Sequence, residues 1–188
     1  MGTPKASLKI GGRPILRFII ESLRWPGPTL LVTAPTSQHP PGCELFDREV
    51  ADPVEGEGPL RGVLTALQHS QAEFAVVCTV DMPALRAEHL RWMAGRLLDR
   101  PQLDGMMMRR RDGGEVLVEP FPFACRKAAA DAIAAQLGSP GRPVHSLLAL
   151  PQFAAEDAPP GWPPRIWTNL NTPQDYEAFL NEMHHPSH

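Results

Sequence analysis

The chain has 188 residues, 43% of them hydrophobic, which is enough for one domain with a substantial core and too few for two comfortable ones. Its net charge of −3 provides no positive field that would collect nucleic acid. No apolar run approaches the length of a membrane span, so neither nucleic acid nor a membrane is expected as a partner. We predict a single domain over residues 1–182 and a flexible tail over 183–188.

The three cysteines indicate a reducing compartment. Cys43, Cys78 and Cys125 are far apart in the sequence, form no C-x-x-C pair and cannot all be disulfide-bonded to one another. No charged-then-apolar leader opens the chain, so a secretory signal is not expected. We therefore predict a cytoplasmic protein.

Helix and strand signals alternate through the first hundred residues. In chain order they are a helix opened by Pro14, a strand over 29–33, an extended segment ending at Asp52, a helix that begins at Gly58-Pro59, and an apolar strand over 74–80. A continuous apolar run of the last kind is typical of a strand covered on both faces, as in a parallel sheet.

The second half of the chain adds a hairpin and further helices. We predict a helix over 86–98, a hairpin with arms at 105–109 and 115–118, helices over 128–137 and 144–150, and a helix capped by Thr172 and opened by Pro173. The alternation indicates βαβ units, and the hairpin makes the sheet mixed. The predicted fold is α/β, a three-layer α/β/α Rossmann-like sandwich with a mostly parallel mixed sheet.

The first residues resemble half of a phosphate-binding loop. Gly2 would let the backbone approach a phosphate closely, and Lys5 supplies a mobile positive charge. The chain has only three lysines, so one in a glycine-flanked loop is informative. The alternative is a solvated lysine near a frayed terminus.

Two aspartates follow predicted strands at the edge where open α/β sheets bind ligands. Asp81 could recruit a magnesium-bound nucleotide, because Mg²⁺ prefers one or two carboxylates together with substrate phosphates. Capping of the following turn is the equal alternative. Asp52 could accept hydrogen bonds from a base or ribose, and it precedes the loop Glu55-Gly56-Glu57-Gly58-Pro59-Leu60, which is flexible enough to wrap a ligand.

Two asparagines stand before the last predicted helix. Asn169 and Asn171 are not needed for the helix cap, and on an extended segment they would point the same way. Two such amides can read a heterocycle through paired hydrogen bonds. A turn role for both is the open alternative.

The order of these motifs resembles the molybdenum cofactor guanylyltransferase family, within the α/β nucleotidyltransferases. The shared motifs are M-G-x-x-K with G-G-R-P, then D-P-x(5)-G-P-L-x-G, then a strand ending in D-M-P-x-L, then N-x-N-T-P-x-D. They extend from Met1 to about Leu180, and their joint order is more specific than any one of them.

The resemblance implies transfer of GMP from GTP to the phosphate of molybdopterin, with Mg²⁺ and release of pyrophosphate. Lys5 and Asp81 would be catalytic, and Asp81 the metal ligand. Gly2, Asp52 and Gly58 would complete the nucleotide site. Asn169 and Asn171 would bind the acceptor, which a molybdenum-cofactor-delivering protein could supply.

The sequence also departs from that family. Family members begin with an apolar strand and an L-A-G-G segment before M-G, and this chain is expected to lack both. Ala34-Pro35-Thr36 stands where an asparagine is common, which bears on base preference. The alternatives are a molybdopterin cytidylyltransferase, a phospholactate guanylyltransferase, or an inactive truncated member that acts as a binding protein. A phosphoreceiver domain fits less well, because its spacing is D-x-x-M-P.

Overall fold

Five helices and eight strands follow the apolar patterns in the computed structural model, which describes residues 5–37, 39–137 and 143–184. The helices are α1 Ile15–Leu23, α2 Pro59–His69, α3 Ala87–Leu98, α4 Ala129–Leu137 and α5 Pro173–His184. The strands are β1 Lys9–Ile10, β2 Arg13–Pro14, β3 Leu30–Thr33, β4 Arg48–Ala51, β5 Phe74–Val77, β6 Gly105–Asp112, β7 Glu115–Arg126 and β8 Phe153–Asp157.

The strand pairing is mixed, as predicted, with two parallel and three antiparallel pairings among the described strands where a mostly parallel sheet was expected. A four-stranded sheet has the order β5-β7-β6-β8, in which β7 is antiparallel to both neighbours and β6 is parallel to β8. A second sheet consists of the parallel pair β3-β4, and β1 and β2 form a short antiparallel hairpin. The predicted tail begins in the last turn of α5, and residues 185–188 lie outside the described residues.

Strand β5 differs from its prediction in length and environment. It ends at Val77 although the apolar composition continues to residue 80, and its described partner β7 is antiparallel. All four of its residues are half-buried. Within the described ranges, only one of its edges is paired.

The unpaired edges can be assigned residue by residue. Lys127 N donates to Glu73 O at 2.9 Å. In the antiparallel pattern, the backbone N–H and C=O of Ala75 therefore point toward β7, and those of Val76 point away from it. Asp52 N donates to Thr33 O at 2.8 Å, so the backbone C=O of Thr33 points toward the β4 side of the strand. Both β3 and β5 therefore keep one edge without a strand partner among the described residues.

The hairpin was predicted correctly, with longer arms than expected. Gly113 and Gly114 have φ of +55° and +93°, the positive values that a two-residue type I′ turn requires. The parallel partner of β6, β8, was not predicted. Its sequence, Phe-Ala-Ala-Glu-Asp, is short and has no clear alternation, so its pairing depends on β6.

Two hydrophobic clusters hold the elements in place. The larger one lies between the four-stranded sheet and α2, α3 and α4, and it includes the predicted inward face of α2: Leu60, Val63, Leu64 and Leu67. The smaller one joins α1 to α5 around Ile10, Ile15 and Leu170, with Phe18 and Phe179 edge to face at 6.2 Å. None of the described helices is both long and apolar enough to span a membrane.

Candidate functional site

Three distant parts of the chain meet at the ammonium group of Lys5. Lys5 Nζ donates to Asp81 Oδ2 at 2.5 Å and to Asn171 Oδ1 at 2.6 Å. The three residues come from a 3₁₀ turn at Lys5–Ser7, the turn after β5 and the segment before α5. The structure thus brings together three of the predicted site residues, which we call the Lys5–Asp81–Asn171 cluster.

Buried neighbours and backbone hydrogen bonds fix the position of Asp81. It lies four residues beyond the last residue of β5, in a turn where Met82 N donates to Thr79 O at 3.3 Å. Met82 is 2% exposed and anchors the turn in the larger cluster. Leu170 N donates to Asp81 O at 2.9 Å, which ties the segment carrying Asn171 to the same turn.

The two carboxylate oxygens of Asp81 have different environments. Oδ2 pairs with Lys5, whereas Oδ1 is buried and has no hydrogen-bond partner in the described part of the chain. The side chain as a whole is 16% exposed. A buried carboxylate oxygen without a donor costs free energy unless a cation or water satisfies it, so its chemistry fits a ligand of a hard divalent cation.

The capping box that starts α5 holds Asn171 in place. Asp175 Oδ2 accepts from Thr172 N at 2.7 Å and from Asn171 N at 3.1 Å, and Asp175 N donates back to Thr172 Oγ1. Hydrogen bonds from the side chain and backbone of Thr172 lower the pKa of Asp175, with further contributions from Asn171 and Lys5. The predicted cap is confirmed, and it also positions a site residue.

Asn169 does not join this cluster. Its Nδ2 donates to Trp167 O at 3.2 Å, so its amide folds back on its own segment, whereas the amide of Asn171 accepts from Lys5. Thr168, the preceding residue, lines a cleft of about 740 Å³ together with Arg109, Trp162 and Trp167. Asn169 therefore adjoins a cleft that could receive a planar group.

Asp52 belongs to a different network, at the ends of β3 and β4. Its Oδ1 accepts from the hydroxyl of Thr65, and its backbone N–H donates to Thr33 O at 2.8 Å. Thr65 is fully buried on α2. Sequence reasoning missed Thr65, although a hydroxyl on the otherwise apolar inward face of α2 was a usable signal. The buried threonine orients the carboxylate of Asp52.

Of the two glycines predicted to bind the nucleotide, the structure describes Gly58. Gly58 is exposed, has φ of +76° and immediately precedes α2, so its backbone N–H lies at a helix start. Gly2 lies outside the described residues. A further cleft of about 840 Å³, between α1 and α3, is lined by none of the predicted site residues.

A model of one protein family matches most of the chain. The family is described as the MobA-like NTP transferase domain, and the match covers residues 1–156. The matched part contains Lys5, Asp52, Gly58 and Asp81, whereas Asn169 and Asn171 follow it.

Curated relatives carry consistent names. A probable molybdenum cofactor guanylyltransferase from Geobacillus sp. strain WCH70 is 31% identical over 94 residues, which cover 46% of this chain and 46% of that protein. The chain thus spans about half the length of that relative. A molybdenum cofactor guanylyltransferase from Shewanella halifaxensis is 25% identical over 194 residues, covering 98% of this chain and 90% of that protein.

The fold matches solved structures closely. Molybdopterin-guanine dinucleotide biosynthesis protein A from Archaeoglobus fulgidus superposes with a TM-score of 0.80 at 19% identity, covering 99% of this chain and 93% of that chain. At this identity the match concerns the fold, and it confirms the α/β nucleotidyltransferase architecture that the sequence predicted.

Proposed function

The chain belongs to the MobA-like NTP transferase domain family, and from this premise we propose that it transfers GMP from GTP to the phosphate of molybdopterin. The observation that carries the proposal is the Lys5–Asp81–Asn171 cluster, in which a cation, a carboxylate and an amide converge beside an unpaired buried oxygen. The curated relatives named guanylyltransferases favour GTP as the donor over CTP.

The proposed reaction replaces one phosphorus–oxygen bond by another. An oxygen of the molybdopterin phosphate attacks the α-phosphorus of GTP, the bond to the β-phosphate oxygen breaks, and pyrophosphate leaves with the electron pair. Such a transfer needs positioning and charge neutralisation more than a protein nucleophile. The proposed transfer therefore needs no nucleophile from the cluster.

Lys5 is assigned to the triphosphate. Its ammonium group contacts both Asp81 and Asn171, and its side chain is 34% exposed, so it can turn toward a phosphate without leaving a buried site. A charge-assisted hydrogen bond to a phosphate oxygen is stronger than one to a neutral amide oxygen. The hydrogen bond to Asn171 is therefore the one we expect GTP to replace.

Asp81 is assigned to a divalent cation. Nucleotidyltransferases of this family generally depend on a divalent metal, and we propose Mg²⁺. Asp81 Oδ1 would be its protein ligand, because this oxygen is buried and has no donor within the described residues. When bound, Mg²⁺ supplies positive charge that offsets the negative charge of the phosphates.

The remaining residues are assigned to the two ends of the substrate pair. Asp52, held by Thr65, would accept hydrogen bonds from the guanosine, and Gly58 and Gly2 would offer backbone N–H groups to the nucleotide. Asn169 and Asn171 would bind the acceptor, with the adjoining cleft lined by Trp162 and Trp167 as space for the pterin. A protein that delivers molybdopterin, and a cytoplasmic location, remain predictions.

The test is pyrophosphate release from GTP by the full chain with Mg²⁺ and molybdopterin. We expect release that depends on both, and its loss in Asp81→Asn. The matched control is Asp131→Asn, an equally small change of an exposed aspartate on α4, which should keep wild-type activity. Unchanged turnover in Asp81→Asn would remove Asp81 from the mechanism. Pyrophosphate release from CTP but not from GTP would overturn the proposed donor.

A further inference from the structure

The loop between β3 and β4, together with β4 itself, brings together three different metal-ligand types outside the Lys5–Asp81–Asn171 cluster. The ligand atoms of His39, Cys43 and Glu49 all lie within 4.8 Å of one another. None of the three belongs to the nucleotide or acceptor site proposed above. We propose that this His39–Cys43–Glu49 cluster binds one zinc ion.

Glu49 organises the cluster. It accepts from His39 twice, through the backbone N–H at 2.8 Å to Oε1 and through ring Nδ1 at 2.8 Å to Oε2. Its side chain is only 16% exposed, and it lies on β4, whose described strand partner is β3. The carboxylate is thus fixed before any ion binds, and it holds the imidazole beside it.

The loop backbone is shaped to bring the ligands together. His39 has φ of +55°, a left-handed conformation that is uncommon and costly for a residue other than glycine. Cys43 follows Gly42, whose φ is +98° and where a Cβ would lie 2.9 Å from the backbone nitrogen of Arg17. Cys43 N also donates to Pro40 O at 3.0 Å. Packing against α1 therefore holds the loop in this shape.

The ligand types select zinc over magnesium. Thiolate, imidazole and carboxylate form the mixed set that Zn²⁺ accepts, whereas Mg²⁺ prefers oxygen ligands alone. Zinc–ligand distances of about 2.0–2.3 Å put tetrahedral ligand atoms roughly 3.3–3.7 Å apart, so the present spread requires only small side-chain adjustments. With three protein ligands, water completes the coordination.

The cluster also connects to the ends of the small sheet. Thr33 Oγ1 donates to Glu49 Oε1 at 3.3 Å, and Thr33 O accepts from Asp52 N. A zinc ion would therefore stiffen the unit that carries Asp52 without contacting it. Because an ion that binds only the folded chain stabilises it, zinc should raise the midpoint of thermal unfolding.

The experiment is a titration of the reduced full chain with Co²⁺ and then Zn²⁺. Cobalt reports its ligands spectroscopically, since a bound thiolate gives a near-ultraviolet charge-transfer band and tetrahedral geometry gives intense visible bands. The histidines at positions 184, 185 and 188 are replaced by alanine in one background, so that the end of the chain cannot supply the ligands. We expect one equivalent of Co²⁺ with a thiolate band, displaced by Zn²⁺.

The ligand variants are Cys43→Ser and Glu49→Gln. Each should lower the affinity for zinc by more than about 10–100-fold, which is the loss typical when only an outer hydrogen-bond partner is removed. Cys43→Ser should also abolish the charge-transfer band. Glu115→Gln is the matched control, because Glu115 is an exposed glutamate of the β6–β7 hairpin and belongs to a different sheet from the cluster. Thermal unfolding without metal checks that each variant folds.

Two results would overturn the proposal. One is the absence of a thiolate band at one equivalent of Co²⁺ in the folded wild-type chain. The other is metal binding that survives Cys43→Ser and disappears with the three terminal histidines. Neither result bears on nucleotidyl transfer, because the cluster shares no residue with that site.

Discussion

The two sheets of the molecule differ in how completely they are paired and buried. The four-stranded sheet has a central hairpin of 8 and 12 residues, and the residues Met106, Met107 and Met108 within it are fully buried. The β3–β4 sheet has strands of 4 residues each, and only Thr33 among the residues of β3 is buried. The large sheet is held by its core, whereas the small sheet depends on its loops and on α2.

This difference separates the proposed chemistry into two regions. Asp81, next to the large sheet, is anchored by buried neighbours and contacts Lys5 and Asn171. Asp52, at the end of the small sheet, is anchored by one buried hydroxyl on α2. We infer that charge neutralisation is assigned to the rigid region and nucleoside recognition to the more adaptable one.

The largest expected effect is on stability, from one alanine truncation in each sheet. Phe123 is fully buried and stacks on Phe153, so Phe123→Ala should lower the free energy of unfolding by about 3–5 kcal/mol. Val32 on β3 is half-buried, so Val32→Ala should cost about 1 kcal/mol. Urea unfolding measures both, and equal costs would break the distinction between the sheets.

The next effect separates the two aspartates kinetically. Asp81→Asn should lower kcat by about 10²–10³-fold, because a charge that acts in the transition state is lost. Asp52→Asn keeps the oxygen that accepts from Thr65 and should mainly raise KM for GTP. Steady-state kinetics with varied GTP tests this, and a larger loss of kcat in Asp52→Asn would reverse the assignment.

A smaller effect concerns neighbouring amides on β5. Ala75 faces β7 and Val76 faces the edge without a described strand, so the Val76 N–H should exchange with solvent roughly tenfold or more faster. The comparison is internal, because both residues lie on the same strand. Equal protection at both positions, measured by NMR hydrogen exchange, would mean that the second edge of β5 is covered.

The smallest effect is a pH dependence located on α3. Burial lowers the pKa of His89 below its ordinary value of 6.5, and Nδ1 accepts from Arg86 N at 3.0 Å. As the pH falls below 6.5, the unfolded chain binds a proton that the folded chain excludes, so stability decreases. His89→Gln keeps an acceptor and should flatten this slope in urea unfolding between pH 7 and 5. An unchanged slope would exclude His89 as its source.

Local patterns predicted the elements whose signals are local. The inward face of α2, the Gly113-Gly114 turn and the Thr172–Asp175 capping box each depend on residues a few positions apart, and all three are confirmed. The length of β5 was overestimated because apolar composition continues past Val77 while strand pairing does not. Strand β8 was missed because its pairing with β6 is not encoded in its own five residues.

The site shows the same limit. Lys5, Asp81 and Asn171 were each proposed from local chemistry, yet their meeting spans 76 and 166 positions and was not predicted. Asn169 and Asn171 were expected to share a direction, and only their hydrogen bonds reveal that they have different partners. The His39–Cys43–Glu49 cluster matches no short motif, because His39 meets Glu49 across the loop through its own left-handed backbone conformation.

The most direct test of the proposed function is calorimetric titration of the full chain with GTP and CTP, each with and without Mg²⁺. We expect GTP to bind in preference to CTP, with an affinity that Mg²⁺ raises in the wild-type chain and leaves unchanged in Asp81→Asn. Failure of the folded chain to bind GTP, or equal binding with and without Mg²⁺, would contradict the assignment of Lys5 and Asp81 to a magnesium-bound triphosphate.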